Sequence, residues 1–199
     1  MLVAEGLEVR YHGGPDPAVR GVSLRLAPGA GLLVCGPPGA GKTSLMRGLL
    51  GLVPRGGRVR LPAAAPGGPG RVGYGPQGAG FAEGLRVDEA ARAVAAARGV
   101  RDAAAAGHDA LERAGLGYVT GWRTSRLDAE GARRLSLALA IAGDPDLVLL
   151  DDPWTLSDTL REIARARGRG AAVLATSTRP AGLAPALGRR ADMVDGVIR

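Results

Sequence analysis

Short apolar runs alternate with glycine- and proline-rich breaks along the chain, and the period of the apolar positions changes from segment to segment. Leu2 to Tyr11 alternates in part, as an opening strand does, and His12 to Pro17 breaks the pattern. Period-two alternation resumes over Ala18 to Leu26. Pro28-Gly29 then turns the chain into Gly31-Leu32-Leu33-Val34-Cys35, an apolar run suited to a buried parallel strand. Thr43 to Leu50 switches to helical spacing. Arg55 to Leu61 predicts a hairpin turn and strand, residues 62–70 a low-complexity surface loop, and Arg71 to Gln77 a short strand ending at a glutamine. Val87 to Arg98 is helical by its alanines, with acids in the first turn, and Asp102 to Ala114 is a second helix after a Gly-Val break. Leu127 to Gly131 leads into a third, Ala132 to Ala142, stopped by Gly143-Asp144-Pro145. Asp146 to Leu150 is again an apolar strand, delivering Asp151 and Asp152 at its end. A helix over Asp158 to Arg167, a buried strand over Ala171 to Ala175 and a small strand pair over Met193 to Ile198 complete the pattern. The expected fold is α/β in a single domain. A mostly parallel core (about 1–79 and 129–199) carries a small antiparallel β portion, and a helical insert spans about 80–128.

The chemistry concentrates after the third β run, in Gly36-Pro37-Pro38-Gly39-Ala40-Gly41-Lys42-Thr43, followed by Ser44. This is the G-x-x-x-x-G-K-[ST] phosphate-binding loop. Its glycines let successive backbone N–H groups close around a polyphosphate. Lys42 supplies a point charge for the outer phosphate oxygens, Thr43 a hydroxyl for Mg²⁺, and the helix that follows adds its N-terminal dipole. An apolar strand before the loop and helical spacing after it are the context the motif requires, and they predict a P-loop core.

Composition sharpens this. Lys42 is the one lysine among 26 basic residues, and Gln77 is the one glutamine. Arginine serves for positive charge everywhere else, so a lysine kept here reflects the difference between a compact ammonium and a planar guanidinium. Gln77, at the end of its strand, fits a ligand to Mg²⁺ or water better than a solvated surface amide. Asp151, carried by an apolar strand to the ligand edge of a parallel sheet, fits the Mg²⁺-organising carboxylate of phosphate-loop enzymes. Tyr11 suits either an edge-strand aromatic or a platform for a nucleotide base.

The net charge is +7. The arginines are scattered and only 3% of residues are aromatic, which favours solvated surface charge and argues against nucleic acid as a partner. Cys35 is alone, so no internal disulfide forms, and its apolar setting predicts an inert thiol. No apolar run approaches the ~20 residues that span a bilayer, and the opening residues lack a signal-peptide pattern. A cytoplasmic protein is expected.

Together these stations resemble, over essentially the whole chain, the nucleotide-binding subunit of ATP-binding cassette (ABC) transporters. Tyr11 sits at the adenine-stacking position, residues 36–44 at the phosphate loop and Gln77 at the junction with the helical subdomain. Leu147 to Asp152 matches the second phosphate-site motif, Asp158 the aspartate at the dimer interface, and Ala191 to Ile198 the closing hairpin. The resemblance implies ATP and Mg²⁺ as cofactors, with Tyr11, Gly36, Pro37, Pro38, Gly39, Ala40, Gly41, Lys42, Thr43, Ser44 and Gln77 binding nucleotide. Thr43, Gln77 and Asp151 would hold the metal. It also implies a second cassette as dimer partner, membrane-spanning subunits, and a peripheral place on the inner face of the cell membrane.

Three positions depart from the family pattern. At the signature Leu-Ser-Gly-Gly-Gln, this chain reads Leu127-Asp128-Ala129-Glu130-Gly131. The serine donates to the terminal phosphate, whereas an ionised aspartate only accepts. Like charges ~4 Å apart at an effective dielectric of about 20 cost ~4 kcal/mol. Asp128 is equally well suited to cap the following helix. At the general-base position Asp152 replaces a glutamate and is one methylene shorter. At the switch-histidine position stands Ser177, which lacks an ionisable ring. Asp152 and Ser177 are therefore the candidate catalytic residues, with hydrolysis expected to be weak. The alternative is a non-hydrolytic subunit gated by nucleotide. Trp154 is expected to pack, and His12 and His108 to be ordinary surface residues.

Overall fold

The computed structural model describes residues 1–14, 16–62, 72–77, 84–153 and 157–199. Most of the loop expected at 62–70, the start of the helical insert near residue 80, and Trp154 lie outside these residues.

The all-apolar runs become the buried centre of a six-stranded sheet. Strands β3 (Gly31–Cys35), β6 (Leu147–Asp151) and β7 (Ala172–Ser177) are buried at every position. The order is β5 (Val72–Gly75), β6, β7, β3, β8 (Arg190–Val194), β9 (Val197–Ile198). All neighbours are parallel except the closing β8–β9 pair. Alternate side chains serve two cores, the arrangement a parallel sheet covered on both faces requires. Leu147 and Leu149 face one core, together with Val34 and Leu174. Val148 and Leu150 face the other, with Leu33 and Val173.

The first core is closed by a second sheet, antiparallel, in the order β2 (Val19–Leu26), β1 (Leu2–Val9), β4 (Arg55–Arg60). Helix α1 (Lys42–Leu50) lies between the sheets and buries Leu45, Met46 and Leu49. The expected hairpin over 55–61 is instead one strand, β4, pairing with β1. The glycines taken for its turn fall inside β4, alongside a register irregularity between Glu5 and Glu8.

The second core is covered by α2 (Val87–Ala97), α3 (Ala103–Arg113), α4 (Ala129–Ile141) and α5 (Ser157–Gly168), with short α6 (Ala184–Leu187) at its margin. Helix α4 begins three residues earlier than its apolar spacing suggested. The Asp128 carboxylate accepts from the Gly131 N–H at 2.7 Å, so capping rather than periodicity sets the start. Asp102 caps α3 in the same way through Ala105. No helix among the described residues is long and apolar enough to cross a membrane.

Candidate functional site

Parallel register brings three strand ends together. Cys35 pairs with Ser177 and Asp151 with Thr176, so the loop after β3 and the acids after β6 emerge at one edge of the sheet. Between them lies an open cavity of about 440 Å³. One wall is the loop from Pro38 through Ser44. Facing it are Gln77, Asp152 and Thr178.

The loop wraps tightly because two of its positions admit no side chain. A Cβ on Gly36 would stand 2.2 Å from the Met193 carbonyl oxygen, and one on Gly41, at φ 100°, 2.2 Å from that of Ala18. Strand β8 thus backs the loop from behind. Gly196 donates to the Ala40 carbonyl at 3.1 Å and accepts from the Arg20 N–H at 2.9 Å. Helix α1 starts at Gly41 without a side-chain cap and has no acid in its first turn, leaving its N-terminal dipole directed at the cavity. The Lys42 ammonium is held ready, donating to the carbonyls of Gly36 (2.7 Å) and Pro37 (2.9 Å). Tyr11 is partly exposed, and its hydroxyl donates to Ser44 Oγ at 3.2 Å, placing the ring beside the loop helix.

On the opposite wall the Thr176 hydroxyl is a hub. It donates to Asp151 Oδ1 at 2.6 Å and accepts from the Asp152 N–H at 3.0 Å. Asp151 is buried, and its Oδ2 has no partner among the described residues. A buried carboxylate oxygen without a donor is costly, and it marks a place where a cation or water completes the structure. Asp152 adopts φ 48°, unusual for a residue with a side chain. Its Oδ2 accepts from Gln77 Nε2 at 3.0 Å and its Oδ1 from the Thr178 N–H at 3.1 Å.

The structure therefore brings Tyr11, the phosphate loop, Gln77 and Asp152 together, with Asp151 just beneath. It does not bring the Ser177 hydroxyl to the cavity. Ser177 is 3% exposed, and its Oγ donates to the Arg179 carbonyl (3.0 Å) and accepts from the Arg179 N–H (2.9 Å). Of two threonines the sequence did not single out, Thr176 bonds Asp151 and Thr178 lines the cavity. Cys35 is buried, and burial raises its thiol pKa, as expected for an inert cysteine.

Asp158, at the start of α5, is bound to Arg134 of α4 at 2.5 Å and to Arg161. Arg134 also reaches Glu130 and the Ala114 carbonyl, tying α3, α4 and α5 together beside the acid-bearing strand.

A family described as ABC transporter matches residues 19–155. The zinc import ATP-binding protein ZnuC of Paracoccus denitrificans is 38% identical over 155 residues, covering 77% of this chain and 57% of that protein. The taurine import ATP-binding protein TauB of Pseudomonas syringae pv. tomato is 31% identical over 166 residues, covering 79% of this chain and 62% of that protein. The chain thus spans less than two thirds of either relative's length. Among solved structures, a dimeric ATP-binding cassette in a post-hydrolysis state bound to ADP and Pi superposes with TM-score 0.86 at 18% identity, covering all of this chain and 97% of that one. The ATP-binding subunit of an ABC transporter superposes at 0.84 with 17% identity, covering all of this chain and 88% of that one. Phosphate loop, sheet order and family match agree: the chain belongs to the ABC transporter family, as an ATP-binding domain.

Proposed function

We propose that this chain is the ATP-binding subunit of a membrane transporter, one domain with a helical insert, that binds MgATP and dimerises around it with weakened hydrolysis. The observation that carries the reading is the cavity itself, with the Lys42 ammonium and the uncapped α1 N-terminus on one wall and Gln77 and Asp152 on the other. The residues present suit Mg²⁺: the Thr43 hydroxyl, the Gln77 amide and the orphaned Asp151 Oδ2 are hard oxygen donors around one edge. When bound, the metal would neutralise charge on the outer phosphates. The Lys42 ammonium would exchange its loop carbonyls for phosphate oxygens, and the Tyr11 ring would carry the base.

The state of Asp152 supports the weak-hydrolysis part of this reading. It is the carboxylate best placed to accept a proton from water, yet both its oxygens already accept hydrogen bonds, and the side chain is short. In an assembled dimer Asp128 would face a partner's phosphate as an acceptor already engaged by Gly131. The partners would be a second cassette and membrane-spanning subunits, holding the chain at the inner face of the membrane. Zinc and taurine import, named in the two relatives, illustrate the class of work.

MgATP binding and phosphate release, measured on one preparation with and without a co-encoded cassette, test the reading. Binding by the wild type, its loss in Lys42→Ala, and turnover close to that variant's background are expected. Robust Lys42-dependent turnover would show that Asp152 suffices as a base and would sink the weak-hydrolysis part.

A further inference from the structure

We infer that Thr178, and not Ser177, is the residue through which strand β7 contacts the terminal phosphate of the bound nucleotide. This rests on the MgATP-binding reading above and names a contact residue within that site.

A serine or threonine hydroxyl carries one proton. At the end of β7 three such hydroxyls stand in a row, and the structure accounts for each. Thr176, fully buried, gives its proton to Asp151 Oδ1. Ser177 gives its proton to the Arg179 carbonyl and receives the Arg179 N–H in return, a closed local turn with no proton left for a ligand. Thr178 is exposed and lines the cavity with Lys42, Thr43, Gln77 and Asp152, and its hydroxyl has no partner among the described residues. It alone of the three has a donor to offer.

Its position gives that donor a specific task. The wall of Gln77, Asp152 and Thr178 stands opposite the phosphate loop. A polyphosphate whose inner groups rest on the α1 N-terminus would extend its outermost group towards this wall. That group arrives next to the Asp152 carboxylate, and two anions side by side need donors between them. Thr178 supplies two from one residue: its N–H already holds Asp152 Oδ1 at 3.1 Å, and its hydroxyl is left for phosphate. Thr178 is thus both a positioning residue for Asp152 and a contact that ADP cannot make.

The test compares Mg²⁺ complexes of ADP and of an imido-bridged, non-hydrolysable ATP analogue by titration calorimetry on the intact chain. Thr178→Val, which keeps the shape and deletes the donor, should weaken the triphosphate about tenfold, the scale of one hydrogen bond to a charged group, and leave ADP within about twofold. Thr178→Ser should restore the discrimination, and Ser177→Ala should leave it as in the wild type. Unchanged discrimination in Thr178→Val, equal weakening of both nucleotides, or loss of discrimination in Ser177→Ala each overturns the inference. A wild-type chain that binds neither nucleotide would overturn the MgATP reading together with it.

Discussion

Tyr74 on β5 illustrates how the setting of one side chain makes a measurable quantity. Burial pushes its phenol up to about 12, the Asp151 carboxylate adds to the shift, and Arg47 opposes it. The folded state therefore keeps a proton that the unfolded chain releases near pH 10. Its contribution to stability is full below pH 10 and is lost as pH rises towards 12, where the folded phenol also ionises. An alkaline absorbance titration of the native protein should show one of its three tyrosines ionising near pH 12, about two units later than an ordinary phenol. A Tyr74→Phe variant should lose that late component. Nothing in the sequence marked Tyr74, because its environment is made by strands and a helix far apart in the chain. Lys42 and Gln77 were legible for the opposite reason, each being the only residue of its kind. Thr176 and Thr178 were not, since a threonine at a strand end reads as an ordinary β-former until register places its hydroxyl.

Between elements, the helices over the second core are joined by a charge network that amphipathic spacing does not reveal. Arg113 of α3 binds Glu162 of α5 at 2.5 Å, Asp109 on its own helix at 2.9 Å, and Asp144 in the turn before β6 at 3.1 Å. Burial alone would lower the Arg113 pKa, but its carboxylate partners outweigh that and raise it. Glu162 is 4% exposed, so removing Arg113 strands a buried negative charge. Arg113→Ala should cost about 3 kcal/mol in urea unfolding, moving the midpoint at constant slope. Arg161→Ala, at a side chain 67% exposed, should cost under ~1 kcal/mol. The extents of α3 and α5 were legible to within a residue or so, because apolar spacing and caps are local signals. The sequence could not say which charges meet, because that depends on how the helices pack.

For the molecule as a whole, most of the described arginines are exposed, as the sequence suggested, but several of them also anchor backbone carbonyls. Arg55 donates to the carbonyls of Gly48 and Leu49 at the end of α1. Arg98 does so to Ala142 after α4, Arg167 to Gly29 and Ala186, and Arg169 to Asp144 and Pro145. A forked guanidinium with five donors suits such multiple anchoring across separate segments. Burial lowers the Arg98 pKa to about 10, still leaving the side chain charged near neutrality. Nucleotide should add to the stability these anchors confer. At one hundred times its dissociation constant a ligand contributes about 2.7 kcal/mol, which in a chain of this size raises the melting temperature by roughly 5–10 °C. Differential scanning fluorimetry should show that rise with MgATP in the wild type and none in Lys42→Ala.

Strand β8 gives the phosphate loop a dependence that its own sequence conceals. The loop at residues 36–41 is shaped against the Met193 and Gly196 backbone, more than 150 positions away. Closing a contact of such separation costs the chain more entropy than closing a local one. The loop has the residues to bind phosphate from the outset, but it gains the shape to do so only once β8 and the turn after it have docked. Nucleotide affinity is in this sense a property of the finished chain topology, and ATP would select the completed fold from its unfinished precursors.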